Sequence, residues 1–315
     1  MRVGLIGFPV RHSVSPAFQQ AAFDALGIDA RYELWETPPD RLQDVVERLR
    51  RTDCLGANVT IPHKQAMLER VDRVDEVAAA IGAINTIVRQ QDGSLSGYNT
   101  DVAGFERAVR QDGDARLEGA RVVLLGAGGA ARAVVAAALA NHAAELSICA
   151  RRPAQAEALL ADLARRGGVT SPPRPLSIFD GEGERTSSPL HRRWRGAGGE
   201  ATPPRRLKVI ANCSDALEAA VRGCDVLVNA TPVGMSHQDA LLIHADWLSS
   251  RMLVCDLVYN PPVTPLLRAV QSRGARGLNG LPMLIYQGAA AFERWTGRAA
   301  PVELMRQAAL EGLRD

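Results

Sequence analysis

The sequence predicts an α/β protein, with an N-terminal α/β unit followed by a doubly wound parallel sheet. Three observations carry that expectation. Short apolar runs alternate with stretches of helical period along most of the chain. The run Val122-Val123-Leu124-Leu125 has the all-apolar character of a strand covered on both faces, and it feeds straight into a glycine-rich turn and an alanine-rich helix. A length of 315 residues exceeds one small compact unit and suits two medium domains.

The first part reads as a strand (Val3–Gly7), a helix from Ser15-Pro16, a strand (Arg31–Trp35), a helix from Pro39, a strand (Ala57–Ile61) and a helix from Pro62 to about Val71. Each proline falls where a first helical turn tolerates it. The stretches Ala83–Arg89 and Leu95–Tyr98 flank Asp92-Gly93, a dipeptide suited to a tight hairpin because both residues tolerate positive φ. A helix from Asp101 to about Gln111 follows. After Val122–Leu125, strands are expected at Leu146–Ala150, Val209–Ile210, Val226–Asn229, Leu253–Leu257 and Ala275–Leu278, and two closing helices at Leu281–Trp295 and Val302–Leu313. This predicts a first domain over residues 1–103, completed by C-terminal helices at about 284–315, and a second over 104–283.

Composition bounds the function. With 46% hydrophobic and 23% charged residues the chain is an ordinary globular protein, which excludes disorder, collagen and coiled coil. The longest apolar stretches, such as Val134–Ala140, fall far short of the ~20 residues a bilayer requires. No export signal opens the chain, so the cytoplasm is the expected compartment. Five cysteines, widely spaced and never CxxC, fit neither a disulfide framework nor a zinc site and read as core residues. The net charge of +2 hides a basic segment, residues 165–208, with ten Lys/Arg against four acids amid Gly, Pro, Ser and Thr. It shows neither helical period nor strand alternation and reads as a flexible insertion. Two aromatics and no periodic basic face argue against nucleic-acid binding.

Gly126-x-Gly128-x-x-Ala131 sits after a strand and at a helix start, the context in which such a pattern signifies a dinucleotide site rather than a tight turn. Gly126 permits the turn, Gly128 lets backbone N–H groups approach a pyrophosphate, and the helix N-terminus adds partial positive charge. At the end of the next strand a carboxylate would favour NAD and a cation NADP. The chain offers Ala150-Arg151-Arg152 and no acid, which favours NADP, with a solvated face as the alternative for the arginines. In the first part, Ser13 and Ser15 form a seat for a small carboxylate near a helix start, with helix capping by Ser15 as the competing reading. Asn58, Thr60 and Lys64 converge at a strand's carboxyl end, and Asn85-Thr86 and Asn99-Thr100-Asp101 add amide, hydroxyl and carboxylate groups.

These residues carry a resemblance. HSVSP at 12–16, NVTIPHK at 58–64, GAINT at 82–86, YNTD at 98–101, GAGGAARA at 126–133, NATPVGM at 229–235 and GLPMLIYQGA at 280–289 follow the order of motifs in bacterial-type shikimate 5-dehydrogenases, and only the basic segment stands outside the match. The resemblance implies an N-terminal α/β substrate domain plus a Rossmann-type NADP-binding domain, and reversible NADPH-dependent reduction of 3-dehydroshikimate to shikimate by a monomer or homodimer. It assigns Ser13 and Ser15 to the substrate carboxylate, and Asn58, Thr60, Asn85, Asp101, Tyr259 and Gln287 to the ring hydroxyls. Lys64 and Asp101 form the catalytic pair. Gly126, Ala127, Gly128, Gly129, Ala130, Arg151, Arg152, Thr231, Leu257, Gly280 and Met283 line the cofactor. Two departures stand out. Relatives using NADP usually carry Asn-Arg-Thr where this chain has Ala150-Arg151-Arg152, and a histidine and asparagine after the Ser-Pro are replaced by Phe18-Gln19-Gln20, read as helix packing. Competing readings are a quinate or aminoshikimate dehydrogenase, against which the serine pair leans, and a non-catalytic cofactor-sensing module, against which intact Lys64 and Asp101 argue.

Overall fold

The computed structural model describes residues 1–166, 177–179, 206–211, 215–236 and 238–314. The chain divides into two compact units, one from Met1–Phe105 with Pro282–Asp315 and one from Glu106–Leu281.

The first unit runs β1 (Arg2–Gly7), α1 (Ser15–Ala25), β2 (Arg31–Glu36), a 3-10 turn (Pro39–Arg41) leading into α2 (Leu42–Leu49), and β3 (Cys54–Val59). A 3-10 turn (Ala66–Glu69), β4 (Arg73–Val74), α3 (Glu76–Ile81), β5 (Thr86–Arg89), β6 (Leu95–Tyr98) and the start of α4 (Asp101–Gln111) follow. The sheet order is β2-β1-β3-β5-β6-β4, with β1 parallel to β2 and β3, and β5 antiparallel to β3 and β6. The topology decides what meets at one edge. Because β5 runs against β3, its first residue Thr86 lies opposite Asn58 near the carboxyl end of β3, and opposite Tyr98 at the end of β6. Beneath, Ile6, Trp35, Leu49, Val59, Ile84 and Ile87 form the apolar core against α2. Gly4 makes room for that core, since a Cβ there would lie 2.2 Å from the Trp35 ring.

Two local expectations are corrected here, and two short elements were not foreseen. No α-helix starts at Pro62. The Lys64 carbonyl accepts from the Ile84 N–H (2.8 Å) and the buried His63 ring bonds the Thr37 carbonyl (2.6 Å), so the loop is committed sideways and only the turn at Ala66–Glu69 forms. The short β4 and α3 were not legible, because six helical residues are too few for a period; Asp75 fixes α3 by accepting from the N–H groups of Val77 and Ala78. In the hairpin only Gly93 takes positive φ (+85°), not Asp92.

The second unit continues with β7 (Arg121–Leu125), α5 (Gly129–Ala140), β8 (Glu145–Ala150), α6 (Pro153–Arg165), β9 (Ser177–Phe179), β10 (Arg206–Ala211), α7 (Asp215–Gly223) and β11 (Val226–Asn229). A 3-10 turn (Ala245–Trp247), β12 (Leu253–Asp256), α8 (Pro265–Ser272) and β13 (Arg276–Leu278) complete it. Seven strands lie in the order β13-β12-β11-β7-β8-β10-β9, every ladder parallel. The order reverses between β7 and β11, the switch point at which doubly wound sheets bind ligands beyond the strands' carboxyl ends. The flexible insertion expected over residues 165–208 is corrected at its ends and in its middle: Arg165 closes α6, Arg206–Lys208 belong to the β10 ladder with β8, and β9, three residues being too short to alternate, was not foreseen; residues 167–176 and 180–205 lie outside the described residues.

The chain ends with α9 (Leu281–Thr296) and α10 (Val302–Gly312). Both pack into the first unit, where Phe292 meets Phe23 of α1 at 5.0 Å between ring centres and Trp295 donates to the Ile87 carbonyl. Cys54, Cys149, Cys224 and Cys255 are buried, while Cys213 lies outside the described residues. Among the described residues there is no cluster of metal-ligating side chains, and no helix is long and apolar enough to cross a membrane.

Candidate active site

At the common edge of the first sheet, Lys64 Nζ donates to Asp101 Oδ2 at 2.6 Å. The pair is largely withdrawn from water, with side-chain exposures of 18% and 8%, so its attraction is screened far less than that of a surface ion pair. Asp101 occupies the first turn of α4, where the helix dipole favours a carboxylate, and its own N–H donates to Asn99 Oδ1 (3.0 Å). Its other oxygen accepts from Asn85 Nδ2 at 2.8 Å. The Asn85 amide is saturated: Nδ2 also lies 2.9 Å from Thr100 Oγ1 and 3.2 Å from Gln287 Oε1, while Oδ1 accepts from the Thr100 N–H at 2.7 Å. Gln287 comes close because Gly104 lets α9 approach α4; a Cβ there would lie 2.8 Å from the Gln287 Cβ.

Asn58 is buried beside this cluster. Its Nδ2 lies 3.2 Å from both the Asn85 carbonyl and Thr86 Oγ1, and its Oδ1 accepts from the Tyr32 phenol at 2.8 Å. Tyr32 was missed by sequence reasoning, although a buried tyrosine hydroxyl needs a partner and so announces a polar neighbour. Burial pushes its acidity down, keeping the phenol a neutral donor, and the neighbouring Ser15 hydroxyl opposes that shift only in part. Ser15 is not the cap of α1, whose N-cap position is Val14: it is the first helical residue, and its N–H donates to Ser13 Oγ at 3.2 Å. Thr60 stands half-buried beyond β3, its N–H bonded to the Ile6 carbonyl. The sequence-predicted Ser13, Ser15, Asn58, Lys64, Asn85, Asp101 and Gln287 thus fall into two linked clusters of one unit.

The second unit holds the remaining candidates. Gly126, at the end of β7, has φ +105°, and a Cβ there would lie 2.9 Å from Thr231 Cγ2. Gly128 and Gly129 have nothing within 4 Å of a built Cβ, and the N-terminus of α5 has no side-chain cap. The turn therefore presents backbone N–H groups to open space at the switch point, which fits a dinucleotide pyrophosphate. Ala127 and Ala130 flank these glycines in the same turn. Arg151 and Arg152, both exposed, follow β8 directly. Thr231 donates to Asn229 Oδ1 (2.7 Å), and Leu257 and the half-buried Tyr259 follow β12. Gly280 admits the Leu257 carbonyl, which would be 2.1 Å from a Cβ there. Burial raises the pKa of the Tyr259 phenol. Met283 belongs to the first unit and the other cofactor candidates to the second, the division falling between Leu281 and Pro282.

A glycine turn at such a switch point serves a dinucleotide, and a sheltered lysine–carboxylate pair serves proton transfer; one chain that carries both is of the class of two-unit α/β dehydrogenases. The comparisons narrow the class. The pattern described as the shikimate dehydrogenase substrate binding domain matches residues 5–87, and that of the shikimate 5'-dehydrogenase C-terminal domain matches residues 280–310. A shikimate dehydrogenase (NADP(+)) from Methanopyrus kandleri is 41% identical over 99% of this chain and 96% of its own. The Thermus thermophilus shikimate 5-dehydrogenase, solved with NADP(H) and shikimate, is 32% identical, covers 99% of each chain and superposes with a TM-score of 0.78. A quinate dehydrogenase from Corynebacterium glutamicum in complex with NAD is 28% identical over 99% of each chain, with a TM-score of 0.81. The chain belongs to the shikimate dehydrogenase family.

Proposed function

We propose that this chain reversibly reduces 3-dehydroshikimate to shikimate with NADPH, the first unit holding the substrate and the second the cofactor. The observation that carries the chemistry is the sheltered Lys64–Asp101 pair. NADPH supplies the hydride when bound. Ser13 and Ser15, at the start of α1, hold the substrate carboxylate in a region of favourable dipole. Asn58 has both Nδ2 hydrogens turned inward, so it offers a ring hydroxyl only the spare lone pair of Oδ1. Thr60 and Gln287 complete the polar surround. One of the three Lys64 hydrogens is engaged by Asp101, which leaves two for the ketone oxygen. As reduction builds negative charge on that oxygen, Lys64 stabilises it and gives up a proton; in the oxidative direction it takes the proton back. Asp101 fixes Nζ and keeps lone pairs for a substrate hydroxyl. The roles of Tyr259 at the substrate, and of Gly126 to Ala130, Arg151, Arg152, Thr231, Leu257, Gly280 and Met283 at NADP, carry over from the family motifs these residues match. The proposal includes action in the cytoplasm as a monomer or homodimer, the latter distinguished by gel filtration.

The test is a spectrophotometric assay of the purified protein with shikimate and quinate, each against NADP and NAD. The highest kcat/KM is expected for shikimate with NADP. Preference for quinate would replace the reading with that of a quinate dehydrogenase, and no turnover in any combination would favour the non-catalytic module.

A further inference from the structure

Asp256, the last residue of β12, has no exposed surface, and its hydrogen-bond partners are all neutral. A carboxylate is costly to bury unless its oxygens are well supplied with donors. Here Oδ1 accepts from Asn229 Nδ2 at 2.8 Å and from the Val258 N–H at 3.2 Å, while Oδ2 accepts from Thr264 Oγ1 at 2.6 Å. The donors come from three segments: the end of β11, the loop after β12 and the cap of α8. Each is oriented by the carboxylate in a way a neutral group would not enforce. Asn229 must turn its NH2 toward Asp256, which leaves its Oδ1 to accept the Thr231 N–H (2.9 Å) and hydroxyl (2.7 Å). Thr264 must point its hydrogen at Oδ2, which leaves its oxygen to cap the Leu267 N–H (3.2 Å).

We infer that Asp256 is a positioning residue for the cofactor site, an acceptor-only hub that sets Thr231 through Asn229 and fixes the loop carrying Leu257 and Tyr259. The inference rests on the reading of this unit as the NADP-binding one. Its test is the dissociation constant of NADP, measured by calorimetry well below each variant's melting temperature, so that lost stability alone does not move it. Asp256→Ala should weaken NADP at least fivefold. Asp256→Asn, which keeps the shape but presents a donor, should weaken it less. Thr264→Val removes one donor without touching the carboxylate and should shift binding in the same direction, with Thr264→Ser restoring it; this pair serves if the Asp256 variants do not fold. Wild-type protein that binds NADP while the soluble variants stay within twofold of it overturns the inference and leaves the functional reading standing. Wild-type protein that binds no NADP overturns both.

Discussion

Lys64 has neighbours that define what each substitution near it removes. Lys64→Ala takes away the only ammonium in the Asp101 cluster and should lower kcat by roughly 10²- to 10⁴-fold, the usual contribution of a general acid–base group. NADP binding should stay intact; a rise in the shikimate KM alone would make Lys64 a binding residue. Asp101→Asn should lower kcat and also weaken shikimate, because it loses both the anchor of Nζ and an acceptor. Tyr32→Phe probes a subtler layer. It deletes one buried hydroxyl that donates to Asn58 on one element and lies beside Ser15 on another. The loss of about 1 kcal/mol for such a bond corresponds to a roughly fivefold higher KM for shikimate with kcat little changed. An unchanged KM would mean that Asn58 and Ser15 hold their orientation without the phenol. At this scale the motif residues were legible because hydroxyl, amide and charge stand close in sequence. Tyr32 was not, since its contact with Asn58 spans 26 positions and exists only once β1, β2 and β3 are in register.

The elements show where local pattern suffices and where it does not. The Val122–Leu125 strand and the turn at Gly126 were legible because a continuous apolar run and a glycine at positive φ are both local statements. The stretch after Pro62 misled because the Lys64 carbonyl is taken by the Ile84 N–H and the His63 ring by the Thr37 carbonyl, both outside any local window. The arginine pair after β8 belongs to the legible kind. A strand end without a carboxylate lacks the charged acceptor that favours a 2'-hydroxyl, whereas two guanidinium groups form charge-assisted bonds to a 2'-phosphate. Converting Arg151 and Arg152 together to neutral residues should raise the KM for NADP and leave that for NAD nearly unchanged. Equal losses for both cofactors would assign the arginines to the solvated surface.

For the whole molecule, the alternation of periods announced two α/β units, and the length of the two closing helices suggested that they pack back onto the first of them, which is where Phe292 and Trp295 make their contacts. The basic segment tests how the second unit tolerates change. Among the described residues its strand, β9, is the outermost of seven and pairs only with β10, whereas the switch point lies between β7 and β11. Two strands, β8 and β10, therefore separate β9 from the cofactor turn, and β10 keeps its full six-residue ladder to β8 when β9 is gone. An edge strand contributes pairing on one side only, so its removal costs stability locally without moving the strand ends that carry Gly126 and Thr231. Replacing residues 170–204 with a short Gly/Ser linker should accordingly leave kcat and the KM for NADP within about twofold of wild type, with at most a modest fall in melting temperature. A variant that stays folded but loses turnover would show that the segment takes part in the reaction and that distance along the sheet is the wrong guide to its role.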